Sequence, residues 1–331
     1  MLCSIAVFVI QGNATHNHDA NSMEVKDDFS ISERLKTTEA IRDIGMESIL
    51  GDQPNKGILV FGLLMGMALV GGLILNIFFL FGWRPYFVRI QSPHWGQVPW
   101  GIVDLIKIFV LIIFSELIIS VIIGVLSGIF KLSPSTGFVV MSSTLLRSVF
   151  VLSYCLIYLR RKYGASASDL GWNVSDPKRL ISTGVVAYLA MIPIYVLALI
   201  ALTQVMQLFN YTAPVQAPVQ MLLKEDSQHV LLGMTLLVGI AGPFFEEILF
   251  RGILYRVVRN YLGATRGILI TSLLFAAIHA HMAAFVPILL LGLTLNYLYE
   301  KTHSILPGAI MHAMHNTLMV GAAFGLRGVL S

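Results

Sequence analysis

Charged side chains are scarce in this 331-residue sequence. It contains 22 Lys and Arg and 18 Asp and Glu, so 12% of its residues are charged, whereas 56% are hydrophobic. A soluble domain typically carries about 25% charged residues. This composition excludes a soluble globular protein, and it also excludes a disordered chain, which needs high charge and low hydrophobicity.

Cysteine is also scarce. The two cysteines, Cys3 and Cys155, exclude a disulfide framework and a cysteine-rich zinc site. The net charge of +4 comes from an excess of Lys and Arg. In a membrane protein such an excess reflects topology, so we expect no nucleic-acid partner.

Long apolar runs without charge dominate the sequence instead. They cover residues 57–83, 180–223, 227–245, 267–299 and 302–326. About 20 apolar residues span a bilayer as a helix, whereas barrel strands would show alternating segments of about ten. The sequence therefore predicts an all-α fold: a polytopic membrane helical bundle with about eight transmembrane helices, in a multi-pass integral membrane protein.

The chain divides into three predicted regions. Residues 1–56 form a polar, acidic N-terminal region with a short signal-like start, and residues 57–224 hold the N-terminal transmembrane helices. Residues 225–325 hold the later helices. Within them, the uncharged run 267–299 would make a helix about 50 Å long, well over the roughly 30 Å hydrocarbon core. We expect a break near residues 281–287, where Pro287 disfavours a continuous helix.

The strongest cluster of ionisable residues is Pro243-Phe-Phe-Glu246-Glu247-Ile-Leu-Phe-Arg251-Gly252. Ionisable groups inside a bilayer are costly, so each is a candidate for function. Glu247 and Arg251 are four residues apart on a helix and can pair. Glu246 points about 100° away from Glu247 around the helix, so this pairing leaves it directed into the bundle. There it can act as a general base for a water molecule. An ion pair that only locks the bundle is the alternative.

Two further polar groups lie on later helices. A turn near residue 264 would place His279 at a depth similar to that of Glu246, where it can orient a water molecule. His312 and Asn316 share one helical face. They can hold the oxyanion that forms when water attacks an amide carbonyl. Otherwise, His279 is a satisfied core histidine and His312 and Asn316 are packing contacts between helices.

A metal site is a competing hypothesis. His279, His281, His312 and Glu246 have the chemistry of zinc ligands. However, the helical metalloprotease motif, with two His flanking Glu-x-x, is absent, and His279 and His281 do not share a helical face. Zinc is therefore the less favoured alternative.

Glu116 and Arg147 form a separate candidate pair. Both lie at similar distances from a turn near residue 133, so they can pair across two helices within the membrane. Such a pair either fixes the register of the helices or relays protons or ions in a transporter.

The three clusters at Glu246, His279 and His312 resemble a known family. The ordered motifs Glu246-Glu247-x3-Arg251, Phe275-x3-His279 and His312-x3-Asn316 are similar to those of the CAAX protease and bacteriocin-processing family. That family includes type II CAAX prenyl endopeptidases and lysostaphin-resistance-type proteins. The resemblance covers roughly residues 225–325, which it identifies as a catalytic helical core.

The resemblance implies an intramembrane glutamate-type endopeptidase without a cofactor, acting on a peptide or a prenylated protein. Family members that process prenylated proteins remove a C-terminal tripeptide after a lipidated cysteine, whereas many bacterial members have no prenylated substrate. A catalytically silent membrane scaffold or a bacteriocin-immunity-type protein is the alternative. At the positions that match the family's motifs, the resemblance implies four catalytic residues. Glu246 and His279 would activate the water molecule, and His312 and Asn316 would stabilise the oxyanion. Glu247 and Arg251 would support the site.

Overall fold

The structure is a computed structural model that describes residues 56–82, 96–131, 134–209, 211 and 217–330. The predicted acidic N-terminal region therefore lies outside the described residues, apart from Lys56. In the part of the chain that is described, every regular element is helical and no strand occurs. The predicted all-α fold is confirmed.

Ten α-helices follow one another in the described residues. Two π-helical segments, Leu237–Ala241 and Ile248–Tyr255, join the sixth, seventh and eighth helices into one continuous stretch. The helices are α1 (Lys56–Leu80), α2 (Ile102–Ile129), α3 (Thr136–Tyr163), α4 (Pro177–Leu208), α5 (Ala217–Lys224), α6 (Gln228–Leu236), α7 (Gly242–Glu247), α8 (Arg256–Ala277), α9 (Met282–Thr302) and α10 (Leu306–Leu330).

Local capping residues set several helix ends. Ser135 caps α3 by accepting a hydrogen bond from the Phe138 backbone N–H at 3.1 Å, and Gly164 ends it in the left-handed conformation with φ of 68°. Asp176 caps α4, whose first residue is Pro177. The cap at Asp176 therefore places the start of α4 within a few residues of the start of the apolar run 180–223.

The chain reverses inside α8, close to the turn expected near residue 264. Gly263 has φ of 79° and ψ of 174°, which breaks the helix geometry and suits a residue without a side chain. After the reversal, the Phe275 ring reaches the Phe250 ring, with 5.1 Å between centroids. The reversal therefore lays the last part of α8 against the helix that carries Glu246, and His279 lies in the turn that directly follows α8.

The break in the run 267–299 lies slightly earlier than expected. α8 ends at Ala277 and α9 begins at Met282, with His281 at its N-cap. Pro287 lies inside α9 rather than at the break. Only the first four N–H groups of a helix lack a partner within it. Pro287 lies beyond them, so α9 continues without the one backbone hydrogen bond that an N–H at this position would donate.

In the part of the chain that the structure describes, six helices are long and apolar enough, by length and composition, to cross a membrane. The stretch Gln228–Ala277 counts once among them although it reverses at Gly263, and α10 is not included. Residues such as Leu63, Met67 and Phe109 leave more than half of their surface exposed, as expected of side chains that face lipid. The protein is a multi-pass membrane helical bundle, but the predicted count of eight spans is not confirmed.

The helix α10 packs centrally in the later part of the chain. Met311 of α10 packs in one apolar cluster with Tyr188 and Met191 of α4 and with Leu291 and Leu295 of α9. α10 also contacts α7 and the π-helical segment Leu237–Ala241. This packing brings the His312–Asn316 segment of α10 next to the two adjacent glutamates of α7.

Candidate active site

The Glu247–Arg251 pair lies fully inside the bundle. Arg251 Nη1 donates to Glu247 Oε1 at 2.8 Å, and both side chains are 0% exposed. The pair forms across one helical turn, as the i,i+4 spacing predicts. It runs from α7 into the π-helical segment Ile248–Tyr255, and it fixes Glu247 in place.

One imidazole contacts both glutamates. His312 Nδ1 lies 3.1 Å from Glu247 Oε1, and because a carboxylate accepts, Nδ1–H is the donor. The other ring nitrogen, Nε2, lies 3.9 Å from Glu246 Oε2. Glu247 therefore orients the ring of His312, and the ring presents its second nitrogen towards Glu246.

His279 has a fixed tautomer in its neutral form. Its Nδ1 lies 2.6 Å from the carbonyl oxygen of Phe275, which can only accept, so Nδ1 carries the hydrogen. The lone pair of a neutral ring is then on Nε2. A histidine in this state can accept a proton or a hydrogen bond from water.

A cavity of about 750 Å³ joins these groups. Its walls are mostly apolar. They are formed by α2, α3, α5 and Tyr195 of α4, together with α7 to α10 and the two π-helical segments. Four of the predicted site residues line it: Glu246, His279, His312 and Asn316. Glu247 and Arg251 are not among the lining residues, so they lie behind the cavity wall.

Asn316 has a structural partner that its sequence position did not reveal. Its Nδ2 donates to the carbonyl oxygen of Val238 at 2.9 Å, within the π-helical segment Leu237–Ala241. A side-chain amide has two N–H hydrogens. One therefore anchors α10 to the π-helical segment, and the second remains available for another acceptor.

Two residues beside the site carried no predicted role. The centroid of the Phe275 ring lies 4.8 Å from the centroid of the His279 ring and 5.7 Å from that of the His312 ring. The Arg251 guanidinium carbon lies 4.6 Å from the same Phe275 centroid. A Cβ at Gly308 would lie 2.8 Å from Glu247 Oε2. Phe275 was visible only as a motif position, and no sequence signal singled out Gly308.

A second aromatic group lines the same cavity. His315 Nε2 lies 3.4 Å from the Tyr195 hydroxyl, and the rings of Tyr195 and Tyr188 pack edge-on against His315. Tyr195 and His315 both line the cavity. Tyr195 lies in the long apolar run of α4, where no motif indicated a link to the site.

Of the remaining predicted groups, His281 is separate from this arrangement, whereas Arg147 lines the same cavity. His281 is not among the cavity-lining residues, and within the described part of the chain no three His, Cys, Asp or Glu side chains form a metal-binding group. Arg147 and Glu116 form the expected ion pair between α3 and α2, and both are buried.

Comparison with known proteins supports the resemblance. Residues 228–318 match a family model described as type II CAAX prenyl endopeptidase Rce1-like. The match includes all three motifs and falls inside the predicted core 225–325. The resemblance to CAAX proteases is confirmed, whereas the division into residues 1–56 and 57–224 stays a prediction.

Two curated proteins are similar to the same region. The "Putative membrane peptidase YdiL" of Bacillus subtilis (strain 168) is 31% identical over 87 residues, which is 26% of this chain and 36% of that protein. The "UPF0177 protein YxdF" of Lactococcus lactis subsp. lactis (strain IL1403) is 33% identical over 91 residues, 27% of this chain and 49% of that protein. The chain thus spans half or less of the length of these relatives. No solved structure matches it.

Proposed function

We propose that the protein is an intramembrane peptidase of the CAAX prenyl endopeptidase type, which hydrolyses a peptide bond with water and needs no metal. One observation carries the proposal: His312 lies between Glu247 and Glu246 at the wall of a cavity that His279 and Asn316 also line. A structural ion pair alone needs neither the cavity nor the second histidine.

In this mechanism Glu246 is the general base. Its side chain is 17% exposed, in contrast to the fully buried Glu247, and it lines the cavity. Glu246 takes a proton from a water molecule as the water oxygen attacks the carbonyl carbon, and His279 Nε2 accepts the second hydrogen bond of that water. Glu246 then gives the proton to the leaving amine. The products are a carboxylic acid and an amine.

His312 and Asn316 act on the oxygen of the tetrahedral intermediate. A cationic His312 donates from Nδ1 to Glu247 and from Nε2 to the oxyanion, and Asn316 donates its second N–H. Glu247 and Arg251 hold the ring of His312 in its orientation. They are positioning residues because neither lines the cavity.

The test is peptide cleavage by purified protein in detergent or liposomes. Farnesylated and unprenylated C-terminal peptides are each offered as substrates to wild type, Glu246→Gln and His279→Ala. His229→Ala, on the exposed surface of α6, is the matched control. Loss of a general base typically costs about 10²- to 10⁴-fold in rate. We expect such a loss for Glu246→Gln and His279→Ala, and no loss for the control.

Two results would overturn the proposal. Equal cleavage by wild type, Glu246→Gln and His279→Ala removes the assigned chemistry. Loss of activity with a chelator, restored by zinc, replaces the metal-free mechanism with the zinc alternative.

A further inference from the structure

A second groove lies between three helices that are long and apolar enough to cross a membrane: α1, α4 and α9. It has a volume of about 1160 Å³ and shares no lining residue with the candidate active-site cavity. α1 and α4 lie outside residues 228–318, which match the family model. The groove therefore belongs largely to the N-terminal part of the chain, and the proposed peptidase chemistry does not use it.

The basic side chains of the groove lie at one end. Among the described residues that line it, Arg179 and Lys301 are the only Arg or Lys, and Asp176 is the only Asp or Glu. Arg179 is in the first turn of α4, and Lys301 is in the last turn of α9. These helix ends are close together, because the Ser304 hydroxyl donates to the Asn173 carbonyl oxygen at 2.6 Å. The lining therefore carries a net positive charge at this end.

The basic end lies at the level expected for lipid headgroups. Lys301 Nζ is 5.8 Å from the centroid of the Tyr297 ring, and Tyr297 is 50% exposed. Exposed Tyr side chains near the ends of membrane helices are typical of the interface between headgroups and hydrocarbon. Asp176 Oδ1 accepts from the Arg179 backbone N–H at 3.1 Å and caps α4. Arg179 and Lys301 are both half-buried, so each presents part of its surface outside the protein core.

Away from this end, the walls of the groove are mostly apolar. α4 contributes Val186 and Ile194, and α9 contributes Leu290 and Leu293. Along α4, residues 179–194 cover about 22 Å at 1.5 Å per residue. This exceeds half of the roughly 30 Å hydrocarbon core. The groove is therefore long enough for an acyl chain whose headgroup lies at the basic end.

We propose that this groove binds an anionic phospholipid of the surrounding bilayer, with the phosphate at Arg179 and Lys301 and an acyl chain along the apolar walls. Two cations at one end and apolar walls along the rest match the two parts of an amphiphile. Basic pockets between membrane helices are typical sites for anionic headgroups, and a guanidinium matches the geometry of a phosphate. The positive lining favours an anionic lipid over a zwitterionic one. This inference does not depend on the proposed peptidase function.

The experiment measures lipid binding to the purified full chain in a non-ionic detergent by native mass spectrometry. Phosphatidylglycerol and phosphatidylcholine with identical acyl chains are titrated separately. The test variant is Arg179→Gln/Lys301→Gln. The matched control is Arg160→Gln/Arg161→Gln, which also removes two positive charges. Both of these arginines are exposed in the last turn of α3 and do not line the groove.

We expect wild type and the control to bind phosphatidylglycerol about 10- to 30-fold more tightly than phosphatidylcholine, the effect of two cations near an anionic headgroup. Lys301→Gln alone removes one cation and should reduce this preference to about 3- to 5-fold. The test variant should show a preference below about twofold, with unchanged binding of phosphatidylcholine. Val186→Trp fills the apolar wall and keeps both cations, so it should weaken the binding of both lipids alike.

Four results would overturn the inference. A preference that falls as far in Arg160→Gln/Arg161→Gln as in the test variant assigns it to general surface charge. A preference that survives in the test variant places the headgroup elsewhere. Wild-type binding of both lipids by Val186→Trp means that no acyl chain lies in the groove, as when another part of the chain fills it. Displacement of phosphatidylglycerol by an equal concentration of glycerol 3-phosphate means that the site binds a soluble phosphate and not a lipid.

Discussion

Glu247→Gln should strongly destabilise the protein. The Glu247 and Arg251 side chains are 0% exposed and 2.8 Å apart, and Glu247 also accepts from His312 at 3.1 Å. The substitution removes the carboxylate with which the Arg251 guanidinium is paired inside the bundle. Breaking a buried ion pair by removing one partner costs about 3 to 5 kcal/mol. We therefore expect a loss of about 4 kcal/mol in the free energy of unfolding.

The double variant Glu247→Gln/Arg251→Met separates charge burial from lost packing. It removes both charges at once, and a neutral replacement of a buried pair is often close to neutral in stability. We expect it to be at least about 2 kcal/mol more stable than Glu247→Gln alone. Glu300→Gln is the comparison, because its pair with Arg259 is partly exposed and should cost at most about 1 kcal/mol.

The measurement is denaturant unfolding in detergent micelles, followed by circular dichroism. A cost below about 1 kcal/mol for Glu247→Gln, or a double variant no more stable than the single one, would refute the account of the pair as a buried, mutually dependent unit.

Three further changes test the contacts around the site. Gly308→Ala should lower kcat about 10- to 100-fold, because the added Cβ would lie 2.8 Å from Glu247 Oε2 and would push this carboxylate out of position. Gly321→Ala is the control and should leave kcat unchanged, because a Cβ there would meet no atom within 4 Å. Asn316→Ala should lower kcat by about 10²- to 10³-fold, and unfolding experiments should show a loss of about 1 to 3 kcal/mol as the Val238 carbonyl loses its partner. Asp104→Ala should cost about 2 to 3 kcal/mol, because four hydrogen bonds converge on its carboxylate, and should leave kcat/KM of the folded protein unchanged.

Local signals in the sequence account for the helices and for the Glu247–Arg251 pair. Helix ends follow from nearby residues such as Ser135 and Gly164, and an i,i+4 pair follows from helical geometry alone. The turn near residue 264 is also local, since Gly263 adopts a positive φ. The number of spans also depends on whether α10 crosses the bilayer, and a short window of sequence does not determine this.

Contacts between distant helices were beyond the sequence. The family resemblance implied that His312 shares a site with the glutamates, but nothing in the sequence indicated that one ring nitrogen would contact Glu247 and the other would face Glu246. Tyr195 reaches His315 from α4, more than 100 residues away in the chain. Arg147 was predicted to pair with Glu116, but only the folded structure shows that it lines the same cavity as Glu246.

The two proposed oxyanion donors share an arrangement that bears on how the site would work. His312 uses Nδ1 to hold Glu247, and Asn316 uses one N–H to hold the Val238 carbonyl, so each side chain is already fixed by the fold. Each keeps a second donor position for the reaction. Donors ordered during folding need no reorganisation when charge develops on the substrate oxygen. The hydrogen bonds to Glu247 and to the Val238 carbonyl therefore do not compete with a catalytic role for His312 and Asn316. In this mechanism, these bonds orient the remaining donors of the two side chains.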